Sequence, residues 1–241
     1  MDELDIIQEE IDGKGIDQAE FDELADACEA RAETYALLAR FYRTEVDQEF
    51  LEALCAMLYP VKSGNARIDE GHYSIAKYLS NEWVDPLRKL AVDFTKTFLG
   101  DGMDTYSCAY PYESVYTSPK RLLMQEARDE VLAIYRSCGL DKQPEWNVGE
   151  DHISVELEFM RVLCLRAAVA LREGNEEKAL GLFSTMANFL DEHLLGWVPM
   201  FTADARRFSR TLFYKGVASL TEGFLEADQQ FLADAMTGDQ E

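Results

Sequence analysis

Apolar residues recur at intervals of three and four along most of the chain, which predicts helix in nearly every segment. The first long helix should run from about 17 to 43, with one apolar face made by Phe21, Leu24, Ala25, Cys28, Ala32, Tyr35, Leu38 and Tyr42. Asp47 is suited to cap a second helix, which should extend to Tyr59 because Pro60 follows it.

Proline and glycine set the remaining helix boundaries. Pro86 fits a first helical turn, Gly100 a left-handed cap, and Ser118-Pro119 a helix start. Gly196 to Pro199 predicts a break in the chain. Further helices are expected at about 68–79, 85–99, 118–139, 151–173, 176–195 and 203–233. Since no period-two alternation bounded by hairpin signals occurs, the sequence predicts an all-α, single-domain bundle of about nine to ten helices.

The expected domain covers residues 17–235, with a short tail at each end. Residues 1–16 are acidic and contain two glycines, which predicts a mobile tail or a weak helix. Residues 236–241 are polar and should fray. The stretch 140–150, which carries Pro144, Trp146 and Gly149, is the best candidate for a boundary, but it is short, so one domain is favoured.

A second irregular stretch, 101–118, is rich in tyrosine. Tyr106, Tyr110, Tyr112 and Tyr116 lack helical spacing, and Pro111 restrains Tyr110 to extended geometry. Loops of this length in compact domains are often functional. Tyrosine offers a large contact area at little cost in rotamer entropy, which suits peptide binding. The alternative is that these rings simply anchor the loop to the bundle.

The third notable stretch begins at Gly149. Asp151 is placed to cap a helix, because its carboxylate would meet free backbone N–H groups there. His152 would then lie in the first helical turn, on the same face as Glu156 and Phe159. Taken locally, this pattern indicates an ordinary cap followed by a histidine that packs against Glu156.

Charge and cysteine usage narrow the class of protein. Acidic residues number 46 against 23 basic ones, a net charge of −23, which argues against nucleic-acid partners and anionic membranes and favours cationic ones. Acidity for solubility alone explains the composition equally well. Five scattered cysteines without a CxxC pair indicate a reducing compartment. The N-terminus lacks the pattern of a signal peptide, and no run approaches the ~20 apolar residues of a membrane span, so we expect a cytoplasmic protein without stable membrane insertion.

Signatures of common enzymes are missing from the sequence. It contains no GxGxxG, GxxxxGK[ST], GxSxG or HExxH, and its three histidines are not spaced for a haem or di-iron site. We therefore expect no catalytic residues, no cofactor and no bound metal.

Several segments, in order from about 31 to 226, resemble the TorD/DmsD/NarJ family of redox-enzyme maturation chaperones. The acidic-Asp-His motif of that family is matched by Glu150, Asp151, His152, Ile153 and Glu156. Its central segment is matched by Pro111, Ser114, Val115 and Tyr116, and the Phe…Phe-x-Gly before it by Phe94, Phe98 and Gly100. Residues 35–42 and 189–195, with Trp197 and Phe201, are similar to its first and late helices. The proline usual in the Asp-His motif is absent, and Tyr112 replaces an aromatic that is often Trp.

The resemblance implies a non-enzymatic cytoplasmic chaperone. Such proteins bind the twin-arginine signal peptide, or another region, of a molybdoenzyme catalytic subunit, and delay export until the molybdopterin is inserted. The resemblance implies a peptide-binding site with two walls. Tyrosines form one wall, and at the other Asp151 is available to the guanidinium of a leader arginine. The residues of this site are Phe94, Phe98, Tyr110, Pro111, Tyr112, Ser114, Tyr116, Glu150, Asp151, His152 and Glu156.

Three alternatives stay open at this point. A chaperone of the same fold could grip the mature domain of its client and ignore the leader. An unrelated helical adaptor would bind another class of partner. A helical enzyme could use Asp151, His152 and Glu156 as acid–base groups. The sequence also leaves open a monomer or a domain-swapped dimer.

Overall fold

The computed structural model describes residues 18–81, 84–100, 107–143 and 145–237. Tyr106, Pro144, the tail 1–16 and residues 238–241 lie outside them. The helices are α1 (Gln18–Arg43), α2 (Gln48–Ala56), α3 (Ala66–Asn81), α4 (Pro86–Phe94), α5 (Glu113–Thr117), α6 (Glu126–Ser137), α7 (Ile153–Arg172), α8 (Glu176–Phe189), α9 (Leu195–Phe208) and α10 (Leu212–Thr237). Within these ranges there is no β-strand, only an isolated bridge between Tyr112 and His152. The prediction of an all-α, single-domain bundle is confirmed.

Two π-helical turns modify this pattern. Thr95–Leu99 extends α4, and Gly100 ends it at φ +64° with its N–H on the Thr95 carbonyl, as its predicted capping role requires. Leu190–Leu194 joins α8 to α9, so that residues 176–208 are helical without a break.

Two helix pairs form the body of the bundle. Arg172, at the end of α7, pairs with Asp26 and Glu29 near the start of α1, so these two helices lie antiparallel. The other pair, α3 and α10, approaches closely at Gly71 and Gly216. A Cβ on Gly71 would lie 2.7 Å from the Leu220 Cβ and 2.9 Å from the Gly216 carbonyl. Only glycine allows this contact, because a side chain at position 71 would clash with backbone atoms of α10, which cannot move aside as a flexible side chain could.

A buried ion pair connects α1 to α10. The Arg31 guanidinium donates to both oxygens of Asp228, and the Tyr35 hydroxyl donates to the same carboxylate at 2.7 Å. Arg31 and Asp228 are 7% and 2% exposed, so water screens their attraction little. Both hydrogen-bonding partners of the carboxylate are on α1, which fixes the register between the two helices.

The structure corrects the predicted boundaries around residue 118. The helix α6 begins at Glu126 and not at Ser118, which ends the short helix α5 inside the predicted loop. Tertiary contacts decide this, because Glu113, Ser114 and Val115 of α5 are all buried. The Ser118-Pro119 pair indicates only a local preference for a helix start and carries no information about which neighbouring residues are buried.

The predicted break at 196–199 is also wrong, since α9 runs through Pro199. Proline inside a helix costs about 3 kcal/mol, but Trp197, Val198 and Phe201 are fully buried and keep the segment helical. The chain breaks instead at 209–211, where the Asp93 carboxylate accepts the N–H groups of Arg210 and Thr211. The cap thus comes from a residue distant in sequence.

The C-terminal helix extends slightly further than predicted, since α10 reaches Thr237 and so includes the first two residues of the expected tail. Among the described helices, none combines the length and the apolar character that a membrane-spanning segment requires.

Asp228→Asn should lower the free energy of unfolding by about 3–5 kcal/mol, because it leaves the Arg31 guanidinium buried without a counter-charge. Urea unfolding measures this loss. The matched control is Asp26→Asn, which weakens an exposed pair with Arg172 and should cost less than about 1 kcal/mol. Equal losses in the two variants would contradict the role given to the buried pair.

Candidate functional site

Backbone hydrogen bonds hold the tyrosine-proline segment against the start of α7. The Ile153 N–H donates to the Pro111 carbonyl at 2.9 Å, and the Glu113 N–H donates to the Asp151 carbonyl at 2.9 Å. Tyr112 and His152 lie between these two bonds and form the isolated bridge. We call residues 109–116 and 149–156 together the junction. The structure therefore brings together the two sequence segments singled out above.

His152 caps α7, which corrects the expectation that Asp151 does so. The His152 Nδ1 accepts the Ser154 N–H at 3.1 Å and lies 2.7 Å from the Ser154 hydroxyl. Burial lowers the pKa of His152 to about 3, so the ring is neutral at physiological pH and can accept. Its ring packs edge-on against Tyr112, with centroids 4.8 Å apart.

Asp151 points into the protein and holds α5 in place. It is fully buried, and its Oδ2 accepts the Ser114 N–H at 3.1 Å. Gly149 makes room for it, since a Cβ there would lie 2.9 Å from the Asp151 Oδ1. Because the carboxylate faces no solvent, a guanidinium cannot reach it in this conformation. The expectation that Asp151 is available to one is therefore corrected.

Two further carboxylates lie buried behind Asp151. Burial, with the charges of Glu113 and Asp151, raises the pKa of Glu156 well above its ordinary value. The Trp197 indole donates to the Glu156 Oε2 at 3.1 Å. Burial also raises the pKa of Glu113, although its hydrogen bond with His193 opposes this rise. Two neighbouring buried carboxylates disfavour each other's charge, so the ionised form of Glu156 is disfavoured in the folded chain.

His193 is the hydrogen-bonding partner of Glu113 in this cluster. Its Nδ1 donates to the Glu113 Oε2 at 3.1 Å, across from α5 to the π turn before α9. Burial alone would lower the pKa of His193, but the hydrogen bond and the charge of Glu113 raise it. The junction is thus joined to the π turn before α9 through Glu113 and His193, and to α9 through Glu156 and Trp197. Sequence reasoning missed His193 as a partner of Glu113, because the two are 80 residues apart.

Four of the predicted site residues reach the surface in part, namely Tyr110, Tyr112, Tyr116 and Glu150. The other seven are buried: Phe94, Phe98, Pro111, Ser114, Asp151, His152 and Glu156. Phe94 and Phe98 pack in the core against the ring of Tyr214 and lie outside the junction. The predicted set thus divides into a half-exposed group and a group that supports it.

The half-exposed group already has partners. Glu150 accepts from the Arg128 guanidinium at 2.5 Å and lies 3.7 Å from the Lys142 ammonium, and these contacts keep its pKa low against the effect of burial. Tyr116 stacks on Trp197 and donates to Asp204 at 3.3 Å. These tyrosine and glutamate side chains are therefore held in fixed positions.

A groove of about 350 Å³ lies beside the junction, between α7 and the stretch 140–150. Its apolar lining consists of Tyr135, Leu140, Trp146, Val155, Phe159 and Val162. Arg43 lies over the Trp146 ring at 4.8 Å and fixes that wall. Asp141 and Glu158 contribute carboxylates to the lining. Sequence reasoning missed this groove; the signal for it is the second apolar stripe of α7, which includes Val155, Phe159 and Val162.

Comparison with known proteins identifies the family. The family model described as nitrate reductase delta subunit matches residues 63–203, more than half of the chain. The chain belongs to this family. The TorD/DmsD/NarJ resemblance drawn from the junction motifs is thereby confirmed.

Its relatives include several proteins named chaperone protein TorD. The one from Photobacterium profundum is 31% identical over 148 residues, covering 61% of this chain and 66% of the relative. Those from Aliivibrio salmonicida and Vibrio parahaemolyticus are each 27% identical, over 211 and 214 residues, covering 85% of this chain and 95% of the relative. These similarities make the chain a redox-enzyme maturation chaperone and not an enzyme.

Glu156→Gln should stabilise the protein increasingly as the pH rises above about 4.5, the ordinary pKa of glutamate. The folded chain retains a proton that the unfolded chain releases, so the wild-type protein loses stability with rising pH until the folded pKa is reached. The amide removes this loss, which amounts to about 1.4 kcal/mol per pH unit. Urea unfolding between pH 5 and pH 8 measures the difference.

The control is Glu158→Gln, two residues further along α7, where the carboxylate is partly exposed and paired with Arg161. Its stability should follow the wild-type pH profile. A Glu156→Gln profile parallel to the wild type would show that the buried pair holds no proton.

Proposed function

We propose that this chain is a cytoplasmic chaperone for the catalytic subunit of a molybdopterin-dependent oxidoreductase. It binds the twin-arginine leader of that subunit while the cofactor is inserted, and so prevents premature export. The names of its relatives and the junction motif of its family support this role. No reaction is catalysed by the chaperone itself; binding is its whole task.

The groove beside the junction is the observation that carries this proposal. A twin-arginine leader has a basic start followed by an apolar run, so its receptor needs carboxylates next to an apolar surface. The Trp146 and Phe159 rings offer the apolar surface. Asp141 and Glu158 lie in the same lining, together with Arg43 and Lys142, and Glu150 of the junction follows on the same loop.

Glu150 is suited to receive one arginine of the leader. Its present partners, Arg128 and Lys142, are themselves partly exposed. A leader guanidinium can replace either of them at little net cost, because one charge-assisted hydrogen bond is exchanged for another. This exchange offers specificity, since only a basic segment compensates for the pair that is lost.

Tyr110, Tyr112 and Tyr116 form the second wall in this proposal. The buried members of the predicted set act through them: Pro111, Ser114, Asp151, His152 and Glu156 hold the tyrosine segment against α7. Phe94 and Phe98 belong to the core beside Tyr214 and are not part of this wall. Preorganised rings lose little entropy on binding, which favours a short peptide.

Trp146→Ala should weaken binding of a twin-arginine leader peptide roughly tenfold or more, since it removes the largest apolar contact of the groove. Glu158→Gln should weaken it roughly two- to fivefold and reduce its dependence on salt. Isothermal titration with the synthetic leader of a molybdoenzyme measures both effects. The control, Glu52→Gln, removes an exposed carboxylate of α2, outside the groove, and should leave affinity unchanged.

A second binding experiment distinguishes this chaperone from one that binds only the mature domain of its client. A chaperone of the second kind would still bind and retain the full catalytic subunit after the leader arginines are changed to lysine or the leader is deleted. Loss of that retention supports recognition of the leader; unchanged retention, with no binding of the free leader, overturns it.

A further inference from the structure

A groove of about 490 Å³ lies between α4, with its π-helical extension, and the turn 209–211 that joins α9 to α10. It shares no lining residue with the groove beside the junction. Its lining contains four exposed basic residues, Arg88, Lys89, Lys96 and Arg210. The whole chain has twice as many acidic residues as basic ones. A surface on which basic side chains predominate therefore differs from the general character of this protein.

The buried acid of this lining is occupied by the protein itself. Asp93 is 3% exposed, and its carboxylate accepts the N–H groups of Arg210 and Thr211 at 2.9 and 2.8 Å. The Thr211 hydroxyl donates to the same carboxylate at 2.6 Å. Asp93 thus holds the turn 209–211 against α4 and makes no salt bridge to the Arg210 guanidinium. The two sides of the groove are therefore fixed relative to each other.

The cations form a row along α4. Arg88, Val92 and Lys96 follow one another at intervals of four residues and line the same groove. At 1.5 Å per residue, the two cations lie about 12 Å apart along the helix. Within the ranges that the structure describes, neither of them forms an ion pair, and nor does Arg210. The exposed acid of the lining, Asp85, lies at one end of this row. A row of this length exceeds a single small anion and fits several carboxylates in succession.

Apolar groups accompany the cations. Val84 is 71% exposed and Val92 is 47% exposed, and both line the groove. A ligand that carries apolar side chains as well as carboxylates would bury these valines and gain the corresponding transfer free energy. Nucleic acid fits less well, because its bases stack on aromatic rings, and the described residues of the lining include none. The lining therefore favours an acidic, amphipathic segment of a protein.

A second copy of this chain is disfavoured as the occupant. Each copy carries a net charge of −23, so two copies repel each other. A contact between this groove and an acidic face elsewhere on the other copy is also head-to-tail, and such contacts do not close into a dimer. An acidic segment on a protein that is less acidic overall meets neither obstacle.

Another groove with basic residues, of about 530 Å³, lies between α7 and α8. Its lining contains two cations, Arg166 and Lys178. The Arg166 guanidinium already donates to the Cys138 carbonyl at 2.7 Å. Since this groove offers half as many positive charges, and one of them is engaged, it attracts an acidic segment less strongly than the groove at α4.

We propose that the groove at α4 binds an acidic, amphipathic segment of a partner protein. Carboxylates of the segment contact Arg88, Lys96 and Arg210, and an apolar side chain covers Val92. The proposal does not depend on recognition of a leader, since these cations repel a basic leader. It adds a second docking surface to the one beside the junction.

Fluorescence anisotropy with a labelled synthetic peptide tests the proposal. The probe has about twelve residues, glutamates with leucine at every fourth position, and so spans the row of cations. Net charge alone predicts that this probe is repelled, whereas we expect saturable binding that weakens as salt is added. The same probe with serine in place of leucine should bind roughly threefold more weakly or worse. A labelled oligothymidine of equal length should not bind.

Charge reversal locates the site. Arg88→Glu combined with Lys96→Glu should weaken binding of the peptide roughly tenfold or more, because like charges then face each other. The matched control is Lys62→Glu combined with Lys178→Glu, which changes the net charge equally at two exposed lysines elsewhere. This control should change the affinity less than roughly twofold, and it also tests the groove between α7 and α8.

Three results would overturn the proposal. The first is the absence of saturable binding of the peptide to the wild-type chain. The second is an equal loss of affinity in the two double variants, which would show a general effect of net charge. The third is tighter binding of oligothymidine than of the peptide, which would make the groove a nucleic-acid site.

Discussion

The rest of the structure depends on how the junction buries its acids. The helix α5 has five residues, too few to be stable alone, and it persists because Asp151 satisfies the N–H groups of Glu113 and Ser114. Burying that carboxylate next to Glu113 and Glu156 is costly unless a proton is retained and His193 and Trp197 supply donors. The tyrosine segment is therefore rigid because a network of buried titratable groups lies behind it.

The long helices could be predicted from the sequence because periodicity is a local signal. The apolar stripes of α1, α7 and α10 each span many turns, and burial follows them closely. The wrong predictions of helix boundaries share one cause. Pro199 and the start of α5 are decided by contacts with distant residues, and those contacts outweigh the local preference. Asp93 caps α10 from 117 residues away, which no local pattern can reveal.

The candidate site was predicted in part, and for a specific reason. The motif at Asp151 and His152 predicted a helix start there, which is confirmed at Ile153, but it did not predict the direction of each side chain. One residue of shift at the start of α7 exchanges the two roles, so His152 caps the helix and Asp151 turns inward. The groove at Trp146 required knowledge of which faces of α7 stay uncovered, which depends on the packing of α1 and α8 against it.

Net charge and local charge act over different distances in this chain. The excess of acids acts at a range set by the Debye length, about 8 Å at physiological salt, and attracts basic segments in general. Selection then falls to the few residues that line each groove. The groove beside the junction carries both signs, since Asp141 and Glu158 lie in its lining together with Arg43 and Lys142. Long-range attraction therefore brings a basic segment to the surface, and contacts with individual carboxylates decide where it binds.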